Sequence, residues 1–265
     1  MVKRFFKRFY LGLLLLFIYM PIFVLIVFSF SSGDTMGAFQ VFSLKHYADL
    51  FKDPAILEAI WVTLSVAVLS SAIAVVLGTL AAIGINEYKR GTRNLVINIT
   101  YVPMMNADIV TGISLLLLFI FMDIPRGYGT LLIAHVVFNV PYVIFAVLPK
   151  LKRLDRHLYE AALDMGATPA YALWKVVVPQ LAPGIFTGFI MAFTMSFDDF
   201  LISFFSTQGM VNNLAGYIYS MTKKGVDLRI NALSTIMFII VVTLLIIINI
   251  RSSREDKKVS NKRSM

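Results

Sequence analysis

Six stretches of this 265-residue chain are apolar for long enough to cross a bilayer: residues 11–30, 57–85, 96–122, 131–148, 184–205 and 232–250. A helical span needs roughly 20 such residues to match a hydrocarbon layer about 30 Å thick. Lipid offers the backbone no hydrogen bonds, so each run must become a helix that satisfies its own peptide groups. The expectation is an all-α membrane protein of six transmembrane helices. Composition agrees, because 58% of the residues are hydrophobic and only 15% are charged. That leaves too few polar side chains to clothe a water-soluble core.

The net charge of +9 does not read as a nucleic-acid footprint, since the basic residues concentrate between and after the apolar runs. Of the 24 Lys and Arg, 18 fall before the first run, in 86–95, in 149–183 or after residue 250. The intervening segments hold the other 6. Basic loops stay on the cytoplasmic side during insertion, so both termini are expected there. Lys3, Arg4, Lys7 and Arg8 also fit the start of a signal peptide. The apolar run that follows exceeds the roughly 7–15 residues of a signal h-region, so it is expected to remain as an anchor. The basic tail 251–265 is expected to be cytoplasmic and disordered. Segment 42–51 places Leu44, Tyr47, Leu50 and Phe51 at helical spacing. This fits either a short amphipathic helix at the outer boundary or a packed loop.

An ionised carboxylate at bilayer depth costs at least about 2.5–3.5 kcal/mol on insertion scales. Asp108 nevertheless falls near the centre of the third run, and Asp198 and Asp199 in the outward half of the fifth. No Lys or Arg lies inside any run to pair with them. The imbalance points to a cationic substrate, and the three acids are candidates to line its path. Ser196 and Asn106 are candidate neutral partners, and Tyr101, Tyr142, Phe197 and Phe200 are candidate ring faces for an ammonium group. The competing reading for each acid is a structural carboxyl bonded to Ser, Asn or a backbone amide. Helix disruptors lie close by: Pro103, Asn106 and Gly112 in the third run, Asn139 and Pro141 in the fourth. Proline removes a backbone donor and frees carbonyls that can line a pathway. Catalytic and metal chemistry find no footing. The chain has no cysteine, and His46, His135 and His157 are scattered without metal-ligand spacing. His135 reads as a packed residue.

The loop 150–183 carries the most specific pattern. Residues 154–165 place Leu154, Leu158 and Ala161 or Ala162 on one helix face, with Gly166 positioned to end the helix and Pro169 as a stop beyond. Small side chains at Ala161 and Ala162 would let another surface approach closely. The order Glu160-Ala161-Ala162, three residues, Gly166, nine residues, Val176, one residue, Val178-Pro179 resembles the E-A-A-x3-G-x9-I-x-L-P loop of binding-protein-dependent ABC permeases. Valine replaces both the isoleucine and the leucine of that pattern. The resemblance runs along nearly the whole chain. It is greatest to the permeases of spermidine/putrescine importers at Phe42-Ser43-Leu44-Lys45-His46-Tyr47, at 103–112 and at Ser196-Phe197-Asp198-Asp199-Phe200.

The resemblance implies a single permease domain of the type I ABC importer fold in a bacterial inner membrane. It implies that 150–183 is a cytoplasmic coupling loop, with Glu160, Ala161, Ala162 and Gly166 docking on an ATPase. It further implies a second permease chain, two ATPase subunits that hold ATP and Mg, and an extracytoplasmic binding protein that delivers a polyamine. This chain has no G-x-x-x-x-G-K-[ST] phosphate loop, so the energy must come from another subunit. Importers of iron, sulfate, thiamine and phosphate share the loop and are the competing substrate classes. A passive cation channel or proton-coupled carrier would also explain membrane acids, and a membrane enzyme fits least well.

Overall fold

The computed structural model describes residues 2–33, 38–155, 157–224 and 228–263, and every regular element among them is helical. In chain order these are α1 (Val2–Ser29), α2 (Lys45–Leu50), α3 (Pro54–Glu87), α4 (Arg90–Met105), α5 (Asp108–Phe121) and α6 (Tyr128–Arg153). Then come α7 (His157–Asp164), α8 (Pro169–Ala172), a π-helical turn (Leu173–Val177), α9 (Val178–Phe197), α10 (Leu201–Thr207), α11 (Leu214–Lys224) and α12 (Leu228–Arg263). Among the described residues, five stretches are long and apolar enough to cross a membrane as continuous helices: Phe9–Ser29, Pro54–Glu87, Tyr128–Arg153, Pro169–Phe197 and Leu228–Ile247. The pair α4 and α5 makes a sixth only if counted together, because the two are bent by 100°.

The chain forms two compact units. One comprises Met1–Glu58 and Tyr217–Ile247. Within it α1 leaves every side chain from Phe9 to Phe28 at least partly open, as suits a helix whose surroundings are lipid or another chain. The end of α1 is fastened by the segment that follows. Ser31 and Phe42 form an isolated antiparallel bridge, and the Phe30 ring lies between Phe42 and Tyr47 at 5.4 and 5.3 Å. Tyr47 shares a 2.8 Å hydrogen bond with Ser29. The expected helix at 42–51 thus exists as the shorter α2, packed by His46 and Leu50, while Leu44 and Phe51 are exposed.

The other unit comprises Ala59–Gly216 and Ile248–Met265. Its core is small-residue packing around α6. A Cβ built on Gly78 of α3 would stand 2.7 Å from the Val143 side chain. One built on Gly188 of α9 would stand 3.2 Å from Val143 Cγ1, and one on Gly184 would stand 3.2 Å from the Ala146 carbonyl. Membrane helices gain association energy from such close backbone approach, because lipid is as apolar as leucine and hydrophobicity alone does not drive them together. Around this seam Ala74, Val143, Val147, Leu148, Leu181 and Ala192 are buried.

Three expectations change. The third run is no continuous helix: α4 ends at Met105, and Asn106 and Ala107 adopt extended backbone with ψ of 148° and 137° before α5 begins at Asp108. Gly112 does not contribute to that break. It is instead a contact point, since its Cβ would meet Leu201 O at 3.2 Å and Phe205 Cδ2 at 3.1 Å. The fifth helix lies earlier than 184–205: helical backbone runs from Pro169 to Phe197, stops at Asp198 and Asp199, and resumes as α10. In the tail, α12 continues as helix to Arg263 in place of the expected disorder, and 264–265 lie outside the described residues. Extending an existing helix carries no nucleation cost.

Candidate functional site

The two chain breaks bring the candidate acids together. Asp108 is the first residue of α5 and Asp198 immediately follows α9. Both are exposed on this chain, lie within electrostatic range of each other, and Asp108 is likewise within range of Tyr142. Among the described residues neither acid has an ion-pair partner. Each break joins the carbonyl end of one helix, α4 or α9, to the amide end of the next, α5 or α10. Asp108 lies in the first turn of α5, and Asp199 takes the amide end of α10. Asn106, at the end of α4, is exposed beside Asp108. The breaks therefore place two carboxylates and one amide at positions open to a ligand or a partner chain.

Asp199 behaves differently. Its carboxylate accepts the backbone N–H groups of Ile202 at 3.2 Å and Ser203 at 2.8 Å, and the Ser203 hydroxyl at 2.8 Å. It is 9% exposed and satisfies the otherwise orphan donors that open α10. Ser196 is likewise engaged. Its hydroxyl meets His135 Nδ1 at 2.5 Å and the Ser70 hydroxyl at 3.3 Å. His135 Nε2 reaches Ser203 Oγ at 2.9 Å and lies 3.5 Å from Asp199 Oδ2. Asn139 donates to Ser70 at 3.1 Å, and Asn213 donates to both the Asp199 carbonyl and Ser203 Oγ. These seven buried groups tie α3, α6 and α9 to the start of α10. Sequence reasoning singled out Asn139 and His135 but not Ser70, Ser203 or Asn213, which are small polar residues that also occur where nothing depends on them.

Of the candidate rings, Phe197 is 1% exposed and stacks on Phe193, so it is core. Tyr101 stacks on Phe145 with centroids 3.9 Å apart, and Tyr142 meets Phe138 edge-on at 5.2 Å. Phe200 lies against Phe204 at 5.6 Å. Tyr142 is also linked electrostatically to Asp108.

Within the loop 150–183 the helix expected over 154–165 is the shorter α7, because Leu154 ends α6 in extended backbone. Asp155 accepts the His157 N–H at 3.0 Å and opens α7. The helix closes on a Schellman motif, in which Gly166 N donates to Leu163 O at 2.9 Å and Ala167 N to Ala162 O at 3.0 Å. Gly166 has the positive φ of 85° that this motif requires. Pro169 does more than stop α7. It occupies the first turn of α8, whose cap Thr168 accepts the Tyr171 N–H at 3.3 Å. Glu160, Ala161 and Gly166 are exposed, Ala162 is half-buried, and Met165 is 89% exposed. The end of α7 thus presents an open, partly apolar surface that the described residues do not cover.

A chain of several apolar helices with an exposed helix in the loop between two of them is compatible with a membrane transport component. The chain belongs to the family described as binding-protein-dependent transport system inner membrane components, whose signature matches residues 74–254. It is accordingly a multi-pass inner-membrane permease component of an ABC importer. It is 34% identical over 261 residues, 98% of each chain, to the spermidine/putrescine transport system permease protein PotC of Escherichia coli. It is also 34% identical to the putrescine transport system permease protein PotI of that organism, over 83% of this chain and 81% of PotI. Among solved structures, a chain of a bacterial ABC transporter that imports alginate superposes with a TM-score of 0.65. It covers 96% of this chain and 98% of its own at 18% identity, which supports the fold alone.

Proposed function

We propose that this chain forms half of the membrane pore of an ATP-driven polyamine importer. The observation that carries the substrate assignment is that Asp108 and Asp198 stand at two helix breaks within electrostatic range of each other, open and unpaired by any base among the described residues. Two separated carboxylates suit a substrate with two or more ammonium groups joined by alkyl chains. The names of the PotC and PotI relatives support the same class. A second permease chain completes the pore, and an extracytoplasmic binding protein delivers the substrate. Two ATPase subunits hold ATP and Mg and dock on Glu160, Ala161, Ala162 and Gly166. Asp108, Asp198 and Asn106 face the path, while Ser196 and Asp199 hold the break in shape. In proteoliposomes the assembled complex takes up labelled spermidine or putrescine only with ATP inside and binding protein outside. ATP-independent uptake, or none of either polyamine, overturns the proposal.

The orientation is six spans with both termini cytoplasmic, α4 and α5 together forming one broken span. With no native cysteine, single cysteines label without background. Exposed Lys52→Cys is expected to react with an impermeant maleimide added outside intact cells, and exposed Thr92→Cys only after permeabilisation. Outside labelling of Thr92→Cys refutes this orientation.

A further inference from the structure

His135 is buried on α6, and its two ring nitrogens reach different helices. Nδ1 meets the hydroxyl of Ser196 on α9, two residues before Asp198. Nε2 meets the hydroxyl of Ser203 on α10, which in turn bonds Asp199, the residue after Asp198. One imidazole thus grips the chain on both sides of the α9–α10 break. The helix is interrupted there, with Asp198 at φ −102° and Phe200 at φ −114°. Side chains, and not a continuous ladder of backbone bonds, must set where Asp198 stands.

The hydrogens available fix the direction of each bond. The Ser203 hydroxyl has one proton, which goes to the Asp199 carboxylate at 2.8 Å. Its two lone pairs accept the Asn213 amide at 2.9 Å and the ring of His135 at 2.9 Å. Nε2 therefore carries the ring hydrogen, and Nδ1 accepts the Ser196 O–H. Ser196 in turn accepts from Ser70, and Ser70 accepts from Asn139, one turn further along α6. Every donor in the chain points toward Asp199, and the ring is the link that passes from α9 to α10. Breaking either arm leaves a buried hydroxyl short of a partner and frees one side of the break.

We propose that His135 is a positioning residue for transport, which holds the Asp198 carboxylate where the substrate meets it. This inference rests on the proposed cation path, and it assigns His135 no contact with substrate.

The test is a double-mutant cycle on spermidine uptake by the complete complex in proteoliposomes, normalised to assembled complex. Asparagine reaches as far as Nδ1 and glutamine as far as Nε2. His135→Asn therefore keeps the arm to Ser196 and His135→Gln the arm to Ser203, and neither keeps both. Each is expected to lower uptake about tenfold, the worth of one buried hydrogen bond. Added to Asp198→Asn, either is expected to change uptake by less than about twofold, because the carboxylate it acts through is already gone. A residue that only supports the fold would multiply the two losses. Normal uptake by either single His135 variant, multiplied losses in the double variants, or failure of both single variants to assemble overturns the proposal and leaves the path standing. Normal uptake by Asp198→Asn refutes the path itself, and this inference falls with it.

Discussion

Replacing Asp108 or Asp198 by asparagine is expected to lower spermidine and putrescine uptake by about 10- to 100-fold, the equivalent of one charge-assisted hydrogen bond of roughly 1.5–3 kcal/mol. Asparagine keeps the size and the hydrogen-bonding capacity and deletes only the charge. Expression, complex assembly and basal ATP hydrolysis should survive, because neither carboxylate has an ion-pair partner among the described residues. Asp→Glu at the same positions should be partly tolerated, since charge remains and only reach changes. Asp199→Asn should instead reduce the yield of assembled complex, because the Asp199 carboxylate receives the donors that open α10. Uptake normalised to assembled complex separates the two patterns. Normal uptake by both Asp108→Asn and Asp198→Asn would remove the physical basis for a cation path.

Gly166→Val is expected to abolish ATP-coupled transport while the permease still inserts. A Cβ at position 166 would meet nothing within 4 Å, so the damage arises from the φ of 85° and not from crowding. Holding a β-branched residue in that region costs about 1–3 kcal/mol, enough to unwind the Schellman turn that closes α7. Gly166→Asn provides the control, because asparagine tolerates left-handed backbone. Copurification with the ATPase should be lost with valine and largely kept with asparagine. Equal loss in both would show that the partner, not the turn, requires glycine.

The close of the loop helix was legible because its determinants are contiguous: a small-residue face, a glycine at the close and a proline beyond. Its start was not, since Asp155 opens it at His157 and not at Leu154. The break in the third run was half legible. Pro103 and Asn106 announced an interruption, but Gly112 was grouped with them, and only packing against α10 reveals its use. Hydropathy misplaced the fifth helix for a physical reason. A run of apolar residues measures compatibility with lipid, whereas helix limits depend on where backbone donors find partners. Asp199 supplies such partners to α10, so the chain breaks within an apolar run. The buried network was least legible. A serine in a membrane helix can bond to its own preceding turn, so Ser70 and Ser203 carry no mark of the contacts they make with Asn139 and His135.

The glycine seam has a mechanical consequence. Val143 is gripped between Gly78 and Gly188 with no slack on either side, so α3, α6 and α9 can tilt but cannot slide past one another. A stroke applied at the loop therefore has little compliance in which to dissipate. The rod from Val178 to Phe197 transmits it over about 1.5 Å per residue, ending one residue short of Asp198. Any yielding must occur at the joints, namely the π-helical turn at one end and the Asp198–Asp199 break at the other. Under the proposed docking on the loop, the carboxylate at the far joint would be moved by the same lever.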